Sequence, residues 1–397
     1  MSSAPGSSFP EHPSSATSQV PVKQVNFDAQ GNSRISQLGR SAYAQALEDG
    51  WADFRRLHAQ GRKARRIYDA SRETVASILG VRTEEIHFAP SATAAFHSAL
   101  GALSLGRSRV GNTAVVGSTE RSSVLNAARH YAQPSIVPVT RLGSIDLDQF
   151  THAVSTGSVA WALSHVGNHE VGTLQEVEQL ARASRASSVP FVLDGAASVG
   201  HIALPAAEHW DALVAQPSDW GGGNGVGVLA LKARTRTRSI WPEDQDSWFP
   251  GGTSLPAVFA AAVTLEESVR AMKERSTLQR VWIDQIRDAA AQIPDVEVVG
   301  DPHNRLPHIL TFSCLYVDGE TLTTELDKYG FSVGSGSACT SATLEPSHVL
   351  AAMGVLTHGN VRISLDWDVT QEDVDRFISV LPRAVASVRA LMGVDDL

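Results

Sequence analysis

The chain predicts an α/β fold in which a large unit with a mainly parallel sheet precedes a smaller C-terminal α+β unit. Three observations carry that reading. From about Asn26 to Leu255 short apolar runs alternate with helical patterns, the mark of βαβ units. At 397 residues, 43% of them hydrophobic and 19% charged, the chain exceeds what a single core usually holds. A long helical stretch from Ala257 to about Ile293 then separates the first pattern from a second.

Taken in order, residues 1–24 are rich in Ser, Pro and Ala, with no apolar stretch long enough for a signal peptide, and are expected to form a disordered tail. The large unit spans 25–255, and the linking helix and small unit 256–397. Expected strands are Ile86–Phe88, Thr113–Val116, Val159–Leu163, Phe191–Leu193, Ala212–Val214 and Val226–Leu231, each apolar and β-branched enough for a buried sheet. Amphipathic patterns between them predict helices over Ala70–Leu79, Val124–Tyr131 and Glu176–Ser184. Beyond the linking helix come a strand over His308–Val317, a helix over Glu320–Lys328, a Gly/Ser loop and terminal helices.

Composition excludes several classes. A net charge of -9 argues against nucleic acid and membrane surfaces, which favour clustered Lys and Arg. The basic run Arg62-Lys63-Ala64-Arg65-Arg66 reads as a solvated helix face. No run reaches the ~20 apolar residues needed to cross a bilayer. The two cysteines, Cys314 and Cys339, form no paired motif, so neither a disulfide framework nor a metal site is expected, and a reducing cytoplasm is.

Four segments could carry chemistry. Ser91-Ala92-Thr93 follows a strand and opens a helix, where free backbone N–H groups seat a phosphate or are simply capped. Asp194 ends a buried-looking strand and is followed by small residues, which places a carboxylate at a ligand edge. Gly167-Asn168-His169-Glu170 follows another strand and brings His169 toward the same edge. In Gly334-Ser-Gly-Ser-Ala-Cys339-Thr-Ser-Ala the cysteine has no apolar neighbour beyond Ala, so packing does not explain it; a thiolate on such a loop suits sulfur relay. Cys314, in an apolar strand, reads as core.

The Cys339 segment, Asp194-Gly-Ala-Ala-Ser-Val-Gly200, Thr119-Glu-Arg-Ser-Ser-Val-Leu125, His58-Ala-Gln-Gly-Arg-Lys-Ala-Arg65 and Asn360-Val-Arg-Ile-Ser-Leu365 together resemble the cysteine desulfurases, of the class V aminotransferase, fold-type I group. The resemblance runs in order from about Asn26 to Leu381. It implies a pyridoxal 5'-phosphate (PLP) fold, a homodimer, L-cysteine as substrate, a sulfur-acceptor protein, and release of alanine as sulfur passes to Cys339. It puts Ser91, Ala92, Thr93, Ser218 and Ser254 around the cofactor, Asp194 on the ring nitrogen, and Arg362 with Asn168 at the substrate.

Departures from the family pattern sharpen the expectation. Arg121 stands where the family has a ring-stacking His and is expected to bind the cofactor by stacking its guanidinium on the ring, His169 stands where the family has Asn, and Ala197 where a Gln supports the ring hydroxyl. Relatives read close to SAHKWGGPPGVGVL where this chain has Gln216-Pro-Ser-Asp-Trp-Gly-Gly-Gly-Asn-Gly-Val-Gly-Val-Leu, so Ser218 falls on the His and Asp219 on the Schiff-base Lys. A carboxylate cannot form that bond, so covalent attachment of PLP is not expected. Lys232, at the far end of the next strand, reads as a surface residue. Three functions follow: a desulfurase acting through Cys339; an impaired homologue serving as persulfide carrier or scaffold; and a pyridoxamine-phosphate enzyme with Asp219 as base.

Overall fold

The computed structural model describes residues 23–242, 248–335 and 346–394. The Ser/Pro-rich tail and Cys339 lie outside the described residues.

Seven strands form the central sheet: β2 (Ile86–Ala89), β3 (Thr113–Gly117), β4 (Gln133–Val137), β5 (Val159–His165), β6 (Phe191–Asp194), β7 (Ala212–Ala215) and β8 (Gly227–Leu231), in the order β2-β8-β7-β6-β5-β3-β4. Neighbours from β7 through β4 run parallel, whereas β8 is antiparallel to both β7 and β2. Strands β5 to β8 are buried along their whole length, as a sheet covered on both faces requires. One face packs under α2 (Ala59–Leu79), α5 (Leu147–Val154), α6 (Val177–Ala186) and the first half of α7 (Leu255–Ala291). The other packs under α3 (Ala92–Gly106) and α4 (Ser122–Tyr131).

A smaller antiparallel sheet of β9 (Val296–Val299), β10 (Ile309–Cys314) and β12 (Asn360–Ser364) builds a second core with α8 (Gly319–Lys328) and α10 (Gln371–Leu391). The 37 residues of α7, about 55 Å of helix, join the two: Val258 and Leu265 lie in the large core, Ile283 and Ile286 in the small one.

Several elements differ from expectation. Helix α2 begins at Ala59, eleven residues before the expected start, because its first turns carry Arg62, Arg65 and Arg66 outward and bury only Gly61 and Ala64, too little apolar signal to read. Strand β4 and helix α1 (Gln37–Asp49) have similarly weak patterns. Strand β1 (Val25–Phe27) pairs in parallel with β11 (Phe331–Val333), and Phe27 packs on Phe331 and Phe377 at 5.5 and 5.2 Å. The start of the expected large unit therefore lies in the small core, and a three-residue strand holds no periodicity that could have revealed it. The chain then crosses through Asp28–Gly31 to reach α1.

Candidate active site

Strand order creates the site. From β3 the chain goes outward to β4, then returns to β5 on the other side of β3, so the loops after β3 and β5 diverge and leave a crevice at the strand C-termini. Loops after β3 (Arg121), β5 (Asn168, His169), β6 (Asp194) and β7 (Asp219) all open on this edge, as does the start of α3 after β2.

Asp194 ends β6 and is 3% exposed. Its carboxylate accepts two hydrogen bonds from Arg121, Nε to Oδ2 at 2.7 Å and a terminal nitrogen to Oδ1 at 3.2 Å, and a third from Ala196 N at 2.9 Å. The other terminal nitrogen of Arg121 donates to Gln216 Oε1 at 3.3 Å, and the guanidinium lies 5.4 Å from the Phe96 ring centroid. The planar fork of arginine suits such a bidentate pair. Arg121 thus takes the carboxylate that was expected to face a ring nitrogen.

Asp219 sits on a 3-10 turn, Pro217–Trp220, directly after β7. The turn ends at Gly221 with φ +83°, where a side chain would strain the backbone and press on Ser36. Trp220 locks the turn by donating Nε1–H to Ala261 O at 3.0 Å. Both Asp219 oxygens are engaged: Oδ1 accepts from Gly31 N at 2.6 Å and Oδ2 from Gln30 Nε2 at 2.9 Å. Its backbone carbonyl accepts from His201 Nε2 at 2.7 Å, and His201 stacks on His308 at 3.7 Å. Burial pushes the Asp219 carboxyl up to about 7, against the opposing pull of the Gly31 N–H, Arg121 and Gln30. With both oxygens engaged, Asp219 anchors the crossing segment over the site floor.

Arg362, on β12, pairs with Asp28 Oδ1 at 2.5 Å and has a buried Nε with no hydrogen-bond partner among the described residues. An orphaned donor beside a charged fork fits an incoming carboxylate. Gly334 packs against this pair so closely that a Cβ would meet Asp28 Oδ1 at 2.6 Å and the guanidinium at 2.7 Å. Arg362 therefore lies at the base of the segment that carries Cys339.

His169 is half-buried, and burial, then the positive fields of Arg121 and Arg362, hold it well below the ordinary imidazole range. Both effects favour the uncharged imidazole. Asn168 was expected at the substrate, but its amide is spent internally: Nδ2 donates to Thr119 O at 3.0 Å, and Oδ1 accepts from Glu170 N and Val171 N at 2.8 and 2.9 Å. It shapes the loop that presents His169.

Sequence reasoning missed a buried polar layer beneath these residues. Glu120, fully buried, accepts from the backbone of His165 and meets its Nδ1 at 2.9 Å. Ser347 donates to Glu170 Oε1 at 2.6 Å, and His348 Nε2 donates to Glu120 O at 2.8 Å. These bonds dock the start of α9 (His348–Met353), just beyond the Cys339 segment, onto the β3 and β5 loops. The Ser-His pair opening an apolar helix was the available signal.

At the α3 start, Ser91 caps the helix by accepting from Ala94 N at 3.1 Å, Thr93 is exposed, and Ala92 is buried. Gly227 lets this turn sit on β8, since a Cβ there would meet the Ser91 carbonyl carbon at 2.4 Å and Ala92 N at 2.5 Å. Ser218 is buried and accepts from Gln216 Nε2 at 2.9 Å. Ser254, exposed at the N-cap of α7, makes no capping bond. Ala197 packs with Leu306 and Ile309.

The donor set fits a pyridoxyl ring held without a covalent bond: a buried carboxylate for the ring nitrogen, a helix start for the phosphate, and Arg362 for an amino-acid carboxylate. It does not fit a covalently held one. Of the five lysines, Lys23, Lys63 and Lys328 are paired with Asp373, Asp49 and Glu325, and Lys273 is exposed on α7. Lys232 is buried, not on the surface as expected, with Nζ on Ala207 O and over the Trp210 ring. It follows β8, which runs antiparallel to β7, and so lies at the sheet edge opposite Asp219. Cys314 is in the small core, where burial pushes its thiol up to about 12 and makes it unreactive. Among the described residues no cluster could hold a metal ion and no helix is long and apolar enough to cross a membrane.

Comparison with known proteins gives a consistent result. The family described as aminotransferase class-V matches residues 25–377. A cysteine desulfurase of Azotobacter chroococcum mcd 1 is 32% identical, covering 93% of this chain and 94% of that protein. Cysteine desulfurase IscS of Dictyoglomus turgidum is 27% identical over 93% of this chain and 96% of its own. A solved NifS-like protein superposes with a TM-score of 0.85 at 22% identity, covering 92% of this chain and all of that one.

Proposed function

Since the chain belongs to the class V aminotransferase family and is cysteine desulfurase-like along nearly its whole length, in a family that depends on PLP, we propose that it mobilises the sulfur of L-cysteine, holding it as a persulfide on Cys339 and releasing alanine. The observation that carries the reading is Arg362: a largely buried side chain whose Nε has no hydrogen-bond partner among the described residues, at the base of the Cys339 segment. Its fork receives the cysteine carboxylate and so turns the side-chain sulfur of the substrate toward that segment.

A bound PLP would supply the electron sink that lets the substrate's C–S bond break. The chain's own residues do the rest. The Cys339 thiolate attacks the substrate sulfur; an S–S bond forms, the C–S bond breaks with its electron pair left on carbon, and that carbon takes a proton to become alanine. With no lysine amine at hand, uncharged His169 is the group suited to accept a proton from the substrate's α-carbon and return it to that carbon. Asp219 keeps the Asp28–Gly31 crossing, and with it the Asp28 partner of Arg362, over the site.

A homodimer is part of this reading, supported by the exposed apolar side chains of Leu47, Trp51 and Leu57 at the α1–α2 junction; sedimentation of the full chain tests it. The persulfide then passes to an acceptor protein. The deciding experiment incubates the full chain with PLP and L-cysteine and measures alanine together with the mass of the Cys339 peptide. Stoichiometric alanine, with one sulfur of added mass that is absent in Cys339→Ser, is expected. No alanine and no added sulfur at saturating cysteine would sink the proposal. Sulfur loaded only from a second desulfurase would replace it with the persulfide-carrier reading, which the missing amine favours.

A further inference from the structure

We propose that Arg121 closes Asp194 against the pyridoxyl ring, so that the cofactor is a dissociable ligand which must displace Arg121 on entry. The inference deepens the desulfurase reading and rests on it.

Two independent observations lead here. The first is charge. With Asp219 in place of a lysine, the site floor loses a cation and gains a second carboxylate near Asp194, and the two are 5% and 3% exposed. A buried carboxylate such as Asp194 needs a cation beside it, and an arginine keeps that charge where a histidine can lose it. Arg121 meets that need: it is bidentate on Asp194, and its remaining nitrogen reaches Gln216, whose amide donates to Ser218 on the very turn that carries Asp219. Positions 121 and 219 therefore belong to one polar cluster.

The second is occupancy. Arg121 engages both Asp194 oxygens, Ala196 N–H adds a further bond to Oδ1, and Asp194 is 3% exposed, so the one acceptor site left on Oδ2 is closed off and a ring nitrogen reaches the carboxylate when the guanidinium withdraws. No lysine stands on the site edge to retain the ring once bound. Lost attachment and an occupied partner have the same consequence, weak and exchangeable binding.

The test uses the full chain after exhaustive dialysis. PLP is titrated while tryptophan fluorescence is followed, and the saturated protein is treated with borohydride and peptide-mapped. Wild type is expected to emerge from dialysis free of PLP and to carry no stoichiometric pyridoxyl adduct. Arg121→Ala and Arg121→His should each bind PLP about threefold or more tightly than wild type, since neither competes bidentately for Asp194. Should Arg121→Ala fail to fold, as judged by its thermal midpoint, Arg121→His alone decides. Wild type that keeps PLP through dialysis, a stoichiometric lysine adduct, or variants that bind PLP equally or more weakly would each overturn the proposal. Cys339→Ser is expected to leave all these readings unchanged while abolishing persulfide formation, so the inference and the desulfurase reading fail separately.

Discussion

Replacing Asp219 with Asn converts the burial of its carboxyl into a measurable pH dependence of stability. The carboxyl moves from an ordinary 3.8 to about 7 because folding strips its water. That is about 3 units, and at ~1.4 kcal/mol each the full effect is about 4 kcal/mol. The folded state prefers the protonated form, so this contribution is fully present below about pH 4 and is lost as pH rises through about 7. Between pH 5.5 and 8.5 roughly 2 kcal/mol of it disappears. The amide of Asp219→Asn carries no such charge. Its oxygen can still accept from Gly31 N–H, and Gln30, whose buried Oε1 has no partner among the described residues, can turn that oxygen to the new amide. Whatever that rearrangement costs is the same at every pH and cancels in the comparison. The thermal midpoint of Asp219→Asn relative to wild type, measured by calorimetry, should therefore rise by about 2 to 4 °C from pH 5.5 to 8.5 for a chain of this size. An unchanged difference, or one of opposite sign, would mean that the carboxylate is ionised throughout, with Arg121 rather than burial deciding its charge.

Four other outcomes are expected. The double variant Asp219→Lys, Arg121→His should turn yellow with PLP and take up a borohydride-stable pyridoxyl group at position 219; a colourless protein would show that more than these two positions is altered. Gly227→Ala drives a methyl into the Ser91–Ala92 backbone and should cost about 1–3 kcal/mol by overpacking, read as a lower melting temperature, with weakened PLP binding. Ser347→Ala removes both a helix cap and the donor to buried Glu170, a loss of about 2–3 kcal/mol. Burial already raises the Glu170 carboxyl and Ser347 lowers it, so the loss should be greater at pH 8 than at pH 5, and Ser347→Thr should restore it. Under native conditions iodoacetamide should leave Cys314 unmodified until the chain unfolds; early modification would contradict its burial.

Much of the frame was legible because burial writes itself into short apolar runs. The inner strands Val159–His165, Phe191–Asp194 and Ala212–Ala215 are buried on both faces and stand close to where their patterns placed them. The Trp-Gly-Gly after Asp219 was legible too, since Gly221 needs its left-handed backbone and Trp220 its slot against Ala261. Edge strand β4 and the Arg-rich start of α2 escaped notice, because residues turned to solvent carry no periodic constraint.

By itself the sequence determined the fold class, the family and the residue types at the site, including the absence of a lysine at position 219. It also marked Asp194, His169, Asp219 and Arg362 as residues to watch. Only the tertiary structure decided what those residues do to one another. Arg121 closes on Asp194, 73 positions away in the chain, and Asp219 holds Gly31 from 188 positions away. Within the small unit Asp28 meets Arg362 from 334 positions away, and Lys232 proves to be buried at the wrong edge of the sheet. The reason is physical: apolar burial is a local property that repeats along the chain, whereas charge compensation depends on which distant groups the fold brings within hydrogen-bonding reach.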